Sequence, residues 1–280
     1  MASTYFKIQR ELLNETRLPH RAIKRLPLPP VLPLIGWLLI LGGCFLSTLC
    51  EAQTKVPGPQ QGTSGLHERK HRAVVRRSVE MPYLLYLPEE YAQSTQPFPL
   101  ILYLHGGSAR GNDLNKVKKT GLPALLAEDR HFPFVVLAPQ CPSGEIWTDA
   151  ESLVSLLDQI ATTYRIDTTR MYLTGHSMGG RGTWYLAYRY PAKFAAIAPM
   201  SALSTIESWA DALVHTPVWA IHGAKDEAAP ISNSEVLVNR VKALGGNVRF
   251  TVLPEADHFI LDRYEDKALY EWLLSHRKVP

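Results

Sequence analysis

A chain of 280 residues with 46% hydrophobic content can bury a sizeable core, which excludes a disordered protein and fits one large domain or two small ones. Its 30 Lys and Arg exceed its 26 Asp and Glu, but residues 1–52 hold six of the basic and three of the acidic side chains, leaving 24 against 23. A nearly neutral remainder gives no reason to expect a nucleic-acid partner, and the basic patch at Arg69, Lys70, Arg72, Arg76 and Arg77 reads as solvated surface.

At the amino terminus, Lys7, Arg10, Arg17, Arg21, Lys24 and Arg25 precede an uncharged run from Val31 to Leu49. A basic stretch ahead of an apolar one reads as an export signal, and CEAQ supplies a small-residue cleavage site with Ala52 as the last residue removed. The organisation expected is a signal peptide at 1–52, a flexible Pro/Gly/Ser-rich leader at 53–77 and a folded domain at 78–280. Two other readings stay open: lipidation of Cys44 within LGGC, and an uncleaved anchor, against which Gly36, Gly42 and Gly43 count. In all three the folded part is secreted or periplasmic, touching a membrane only through the signal or a lipid. Cleavage after Ala52 leaves Cys141 as the one cysteine, so no disulfide framework is expected.

Further along, VEMPYLLYLP, FPLILYLHGG and FPFVVLAPQ read as strands, the second almost entirely apolar and therefore central. DAESLVSLLDQIATTYRI places Leu153, Leu156, Leu157, Ile160 and Ala161 at helical spacing. RMYLTG then reads as a strand and MGGRGTWYLAYRY as a helix, followed by strands in FAAIAPMSA, PVWAIHGAKD and VRFTVLPEA. SNSEVLVNRVKALGG is a helix ending on a glycine pair, and DRYEDKALYEWLLSHR a last amphipathic helix. Strands alternating with helices predict an α/β domain with a mostly parallel central sheet covered on both faces. About twenty residues between the strands near Ile197 and Trp219 leave no room for a large lid domain, so the site is expected to be open.

The chemistry centres on Gly175-His176-Ser177-Met178-Gly179, a G-x-S-x-G pattern between a strand and a helix. Alone the pattern is weak, but a strand, a cramped turn and a helix are what an exposed nucleophilic serine needs. Serine attacks an acyl carbon at neutral pH only with a base, a group that orients the base, and donors for the oxyanion. The chain order serine, acid, histidine, usual for this elbow in an α/β-hydrolase sheet, selects Asp226 at one strand end and His258 at the next. Glu227 is the rival acid, Asp257 a possible second acid that more naturally shapes its loop, and His276 a surface histidine in the last helix. For the oxyanion the amides of Met178 and of Gly107 are assigned, with Gly106 as the rival to Gly107. Neither metal-ligand spacing nor a dinucleotide fingerprint occurs, and the chemistry is expected to need no metal and no cofactor.

HGGSARGND, LAPQCPSGEIW, YRIDTTRMYLTGHSMGGRGTW and HGAKDEAAP together resemble the secreted bacterial phospholipase/carboxylesterase group of α/β-hydrolases, also called predicted peptidases of the prolyl-oligopeptidase type. The group is similar to polyhydroxybutyrate depolymerase and feruloyl esterase domains, and the resemblance covers about residues 78–275. It implies Ser177, Asp226 and His258 as a catalytic triad and Trp147 as a wall of the acyl or aryl side of the cleft. ADHFIL departs from relatives that often carry a glycine before the histidine and a tryptophan after it. The function expected is a secreted serine esterase for small or polymer-linked esters with short acyl or aryl groups. A peptidase and an acyltransferase are the alternatives, while a non-catalytic binding module sits poorly with three filled catalytic positions.

Overall fold

The computed structural model of the protein describes residues 68, 70–74 and 76–278. The expected signal at 1–52, with Cys44 and Ala52, and most of the leader lie outside the described residues. By its internal contacts the chain divides into Met1–His71 and Arg72–Pro280, and every helix and strand described here belongs to the second unit.

Seven strands form one sheet: β1 (Tyr83–Tyr86), β2 (Phe98–Leu104), β3 (Val135–Pro139), β4 (Ile166–His176), β5 (Ala196–Met200), β6 (Val218–Gly223) and β7 (Val248–Leu253). Their order is β1-β3-β2-β4-β5-β6-β7, with β1 antiparallel to β3 and all other pairings parallel. In β2 the two-residue period sends Leu100, Leu102 and Leu104 to one face and Ile101 and Tyr103 to the other. Both faces are covered, which is why the strand carries almost no polar side chain.

On the first face lie α3 (Ala150–Thr163), α4 (Met178–Arg189) and α5 (Ser232–Ala243); on the second, α1 (Leu114–Val117), α2 (Gly121–Ala127) and α6 (Lys267–Leu274). Asp149 caps α3, its Oδ1 accepting the Ser152 amide at 3.2 Å, and the Leu153, Leu156, Leu157 and Ile160 stripe faces the sheet. The last helix is shorter than its periodicity predicts. Residues 261–265 form a 3₁₀ turn, and α6 restarts after Asp266, whose Oδ1 accepts the Ala268 amide at 2.9 Å.

Because the central strands run parallel, the loops that follow β2, β4, β6 and β7 open at one edge of the sheet, where ligands of such folds bind. Between β5 and β6 only residues 201–217 intervene, and they contain a single 3₁₀ stretch, Glu207–Leu213. Among the described residues there is no large lid. Among the described residues no helix is long and apolar enough to cross a membrane.

Candidate active site

Ser177 sits between the end of β4 and the start of α4 with φ 58° and ψ −116°, a backbone conformation that few side chains adopt without compensation. The compensation is visible on both sides of the turn. The Ser177 amide donates to Met200 O at 2.9 Å, and its carbonyl accepts from the Arg181 amide at 2.9 Å. Helix and strand approach so closely that a methyl on Gly179 would fall 1.8 Å from Leu104 O, so only glycine fits there.

Three loops bring partners to this serine. Ser177 Oγ–H donates to His258 Nε2 at 2.8 Å, and His258 Nδ1–H donates to Asp226 Oδ2 at 2.8 Å. Asp226 is buried, and its Oδ1 also accepts the Ala229 amide at 2.7 Å. Burial pushes this carboxyl up, but the Ala229 amide and the His258 and His222 rings outweigh it and hold the group below the ordinary aspartate value. An imidazole in this line can take the Ser177 proton from one nitrogen while the carboxylate fixes the other. Glu227 is exposed, and Asp257 accepts the Phe259 amide at 2.8 Å, shaping the loop before the strand-end histidine. His276 bonds within its own segment, Nδ1–H donating to Trp272 O at 2.7 Å.

Of the expected oxyanion donors, Met178 opens α4, where a first-turn N–H has no acceptor inside its own helix. Gly106 lies against the serine, since a methyl on it would stand 3.7 Å from Ser177 Cβ. The Gly106 carbonyl is held by His105 Nδ1–H at 2.7 Å and by the Ala109 amide at 3.3 Å. In a trans peptide the Gly107 N–H points away from that carbonyl, so these bonds turn it from the 3₁₀ turn at Gly107–Ala109. Of the two glycines, Gly106 is the one whose added methyl would meet Ser177, while a methyl on Gly107 would meet only the Arg110 side chain, so Gly107 stays an expectation.

Trp147 differs from expectation. It is 3% exposed, and its indole N–H donates to His105 O at 2.9 Å, beneath the turn. Its ring packs edge-on against that of His105, with centroids 4.9 Å apart. A side chain so enclosed shows little surface to an open cleft, although it borders a recess of 240 Å³ with Cys141, Glu145 and Ile146. Next to the triad, Phe259 is an exposed aromatic, 75% accessible, its ring 5.7 Å from that of His258. Beside it opens a depression of 590 Å³ lined by Lys225, Ala256, Phe259, Ile260 and Arg263. The sequence signal for Phe259 was its place directly after His258.

Two further histidines escape sequence reasoning. His176 Nε2–H donates to the backbone carbonyl of His258 at 2.6 Å, and burial pushes its pKa down to about 4. His222 is wholly buried, accepts from Ser234 Oγ–H at 2.7 Å and donates from Nε2 to Ala229 O at 2.7 Å, with Asp226 Oδ2 at 3.2 Å. Burial likewise lowers its pKa. Both rings are neutral scaffolds around the line from Asp226 to Ser177. Among the described residues no group of three or more His, Cys, Asp and Glu is disposed to hold a metal ion.

Residues 126–244 match the model of the family described as Putative esterase, a stretch that includes Ser177 and Asp226 and ends before His258. The bifunctional acetylxylan esterase/xylanase XynS20E of Neocallimastix patriciarum is 31% identical over 51% of this chain and 21% of its own. Cutinase est1 of Thermobifida alba is 38% identical over 34% of this chain and 31% of its own. The chain thus spans less than a third of either relative's length. The crystal structure of a thermostable esterase superposes with a TM-score of 0.61 at 28% identity, covering 71% of this chain and 60% of that one. With the sheet order, the strand-turn-helix around Ser177 and the superposition on the thermostable esterase, the chain has the α/β-hydrolase fold, and its residues 126–244 are similar to esterases of that fold.

Proposed function

We propose that the protein is a secreted serine esterase that hydrolyses carboxylic esters with short acyl or aryl groups, small or carried on a polymer. The observation that carries the reading is the unbroken line Asp226, His258, Ser177, with both contacts at 2.8 Å and the serine on a strained elbow. Ser177 Oγ attacks the ester carbonyl as His258 Nε2 takes its proton, and the carbonyl π electrons move onto oxygen. The amides of Met178 and Gly107 receive the resulting oxyanion. Collapse expels the alcohol, which takes its proton from His258 and leaves an acyl-serine. Water then repeats the sequence, releasing the acid and restoring Ser177. Asp226 holds the imidazole in the tautomer that accepts at Nε2.

Acyl preference follows from the shape of the site. With only residues 201–217 between β5 and β6, a long chain finds no deep tunnel in which each further methylene would gain about 0.8 kcal/mol. Phe259 gives an aryl or polymer-borne group an exposed ring to lie on. The relatives named as acetylxylan esterase and cutinase support this substrate class. Export rests on the basic-then-apolar order of residues 1–52, with the leader at 53–77 and the catalytic domain at 78–280; the lipidated and anchored forms are its rivals.

The test is kcat/KM on acetyl, butyryl, octanoyl, palmitoyl and feruloyl esters, for the wild type and for Ser177→Ala. Wild-type activity should stop rising after a few carbons, and the variant should lose ~10⁴-fold or more with its fold intact. Activity retained in the variant contradicts the mechanism, a rise through palmitoyl contradicts the open site, and faster turnover of a peptide anilide than of the esters favours the peptidase.

A further inference from the structure

Trp147 touches both elements that bear the assigned oxyanion amides. On one side its indole N–H holds the His105 carbonyl, and with it the plane of the His105–Gly106 peptide. On the other its Cβ meets α4 at Gly182, where a methyl would fall 2.6 Å from Trp147 Cβ and 3.0 Å from Leu104 Cδ1. Gly182 lies one turn into the helix that Met178 opens.

We propose that Trp147 is a positioning residue, a wedge that sets the separation and tilt of the Gly107 and Met178 amides, and that substrate does not touch it. The inference rests on the serine-esterase reading above. Its physical basis is a short relay of fixed peptide planes. The Cys141 amide donates to His105 Nε2 at 3.0 Å, which leaves Nδ1 as the protonated nitrogen, the one that donates to Gly106 O. Burial lowers the His105 pKa, so the ring stays neutral in this tautomer. Trp147 closes the relay by gripping the backbone of the same histidine. Arg110 adds a brace, donating from Nε to Gly107 O at 3.1 Å and from Nη1 to Glu145 O at 3.1 Å, in the loop that carries Trp147. Oxyanion donors act through being fixed before the charge develops, so loosening them lowers turnover while leaving ground-state binding alone.

Trp147→Phe keeps an aromatic ring and removes the donor, and Gly182→Ala displaces the ring from the helix side. For each, kcat and KM on acetyl, butyryl and feruloyl esters would be measured with the affinity of a trifluoromethyl ketone, which forms a tetrahedral adduct on Ser177. Both variants should lose ~10- to 100-fold in kcat by a common factor on every ester, with KM unchanged, and the ketone should weaken by the same factor. Should phenylalanine leave the domain unfolded, benzothienylalanine at 147 keeps the indole outline without its N–H, and the same loss is expected. Unchanged kcat in the folded variants overturns the proposal. So does a rise in KM confined to the feruloyl ester, which would make Trp147 a contact surface. A wild type inactive on every ester, or an active Ser177→Ala, fails the underlying reading instead, whatever happens at Trp147.

Discussion

Two N–H groups bond the buried Asp226 carboxylate, from Ala229 and His258, and with the His222 ring 3.2 Å away they hold it below the ordinary aspartate value. In Asp226→Asn an amide replaces the acceptor at His258 Nδ1, which favours the tautomer with its proton on Nε2, pointing at Ser177. Turnover should fall by ~10³- to 10⁴-fold with little change in melting temperature. The same loss in Glu227→Gln, with Asp226→Asn active, would move the acid by one residue. Asp226 and His258, which the fold brings into one hydrogen-bonded line with Ser177, could be paired from chain order because each follows a strand. The direction of Trp147 could not, because Gly182, which makes room for the ring, lies 35 positions further along the sequence. The parts of His176 and His222 were equally hidden, since a histidine in sequence does not reveal which backbone carbonyl will accept from it.

The β4–Ser177–α4 unit depends on close backbone approach, and a substitution there acts on the element as a whole. In Gly179→Ala the new methyl meets Leu104 O, a backbone atom that can yield only by moving β2 or α4. A cost of about 3 kcal/mol is expected from such overpacking, lowering the melting temperature by about 6 to 12 °C. Because Leu104 leads into the Gly106–Gly107 turn proposed to receive the oxyanion, activity measured well below the transition should fall as well. A variant with wild-type melting temperature and turnover would mean that the turn is looser than described. Most strands and the three helices on one face were legible as elements, since their apolar period is unbroken. The ends of the last helix were not: Asp266 caps a new start inside a pattern that reads as continuous, so the chain forms a 3₁₀ turn and then α6. The antiparallel pairing of β1 also escaped notice, because local periodicity carries no strand direction.

At the scale of the whole domain, a molecule built around buried neutral histidines should be weakened by acid. The His176 pKa falls from 6.5 in the unfolded chain to about 4 in the fold, so between those values the unfolded chain binds a proton that the folded one excludes. Stability is therefore complete above pH about 6.5 and declines as pH drops toward 4, by about 3 kcal/mol for this residue. His105 and His222 shift in the same direction, and Asp226 adds a loss at still lower pH as its carboxylate is protonated. Urea midpoints at pH 7.5 and pH 5 should show the lower value at pH 5, an equal pair being contrary to the account. The alternation of strands and helices made the layered α/β architecture readable, because it is written in apolar period along the whole chain. The surface around the site was less readable, because the inward turn of Trp147 and the exposure of Phe259 are set by packing between distant segments. The central claim, that Ser177 is a nucleophile activated by His258, is tested most directly by fluorophosphonate labelling of the wild type, followed by peptide mass mapping. One adduct is predicted, on the peptide containing Ser177, absent from Ser177→Ala and strongly slowed in His258→Ala. An unlabelled wild-type protein, or an adduct on another residue, would contradict it.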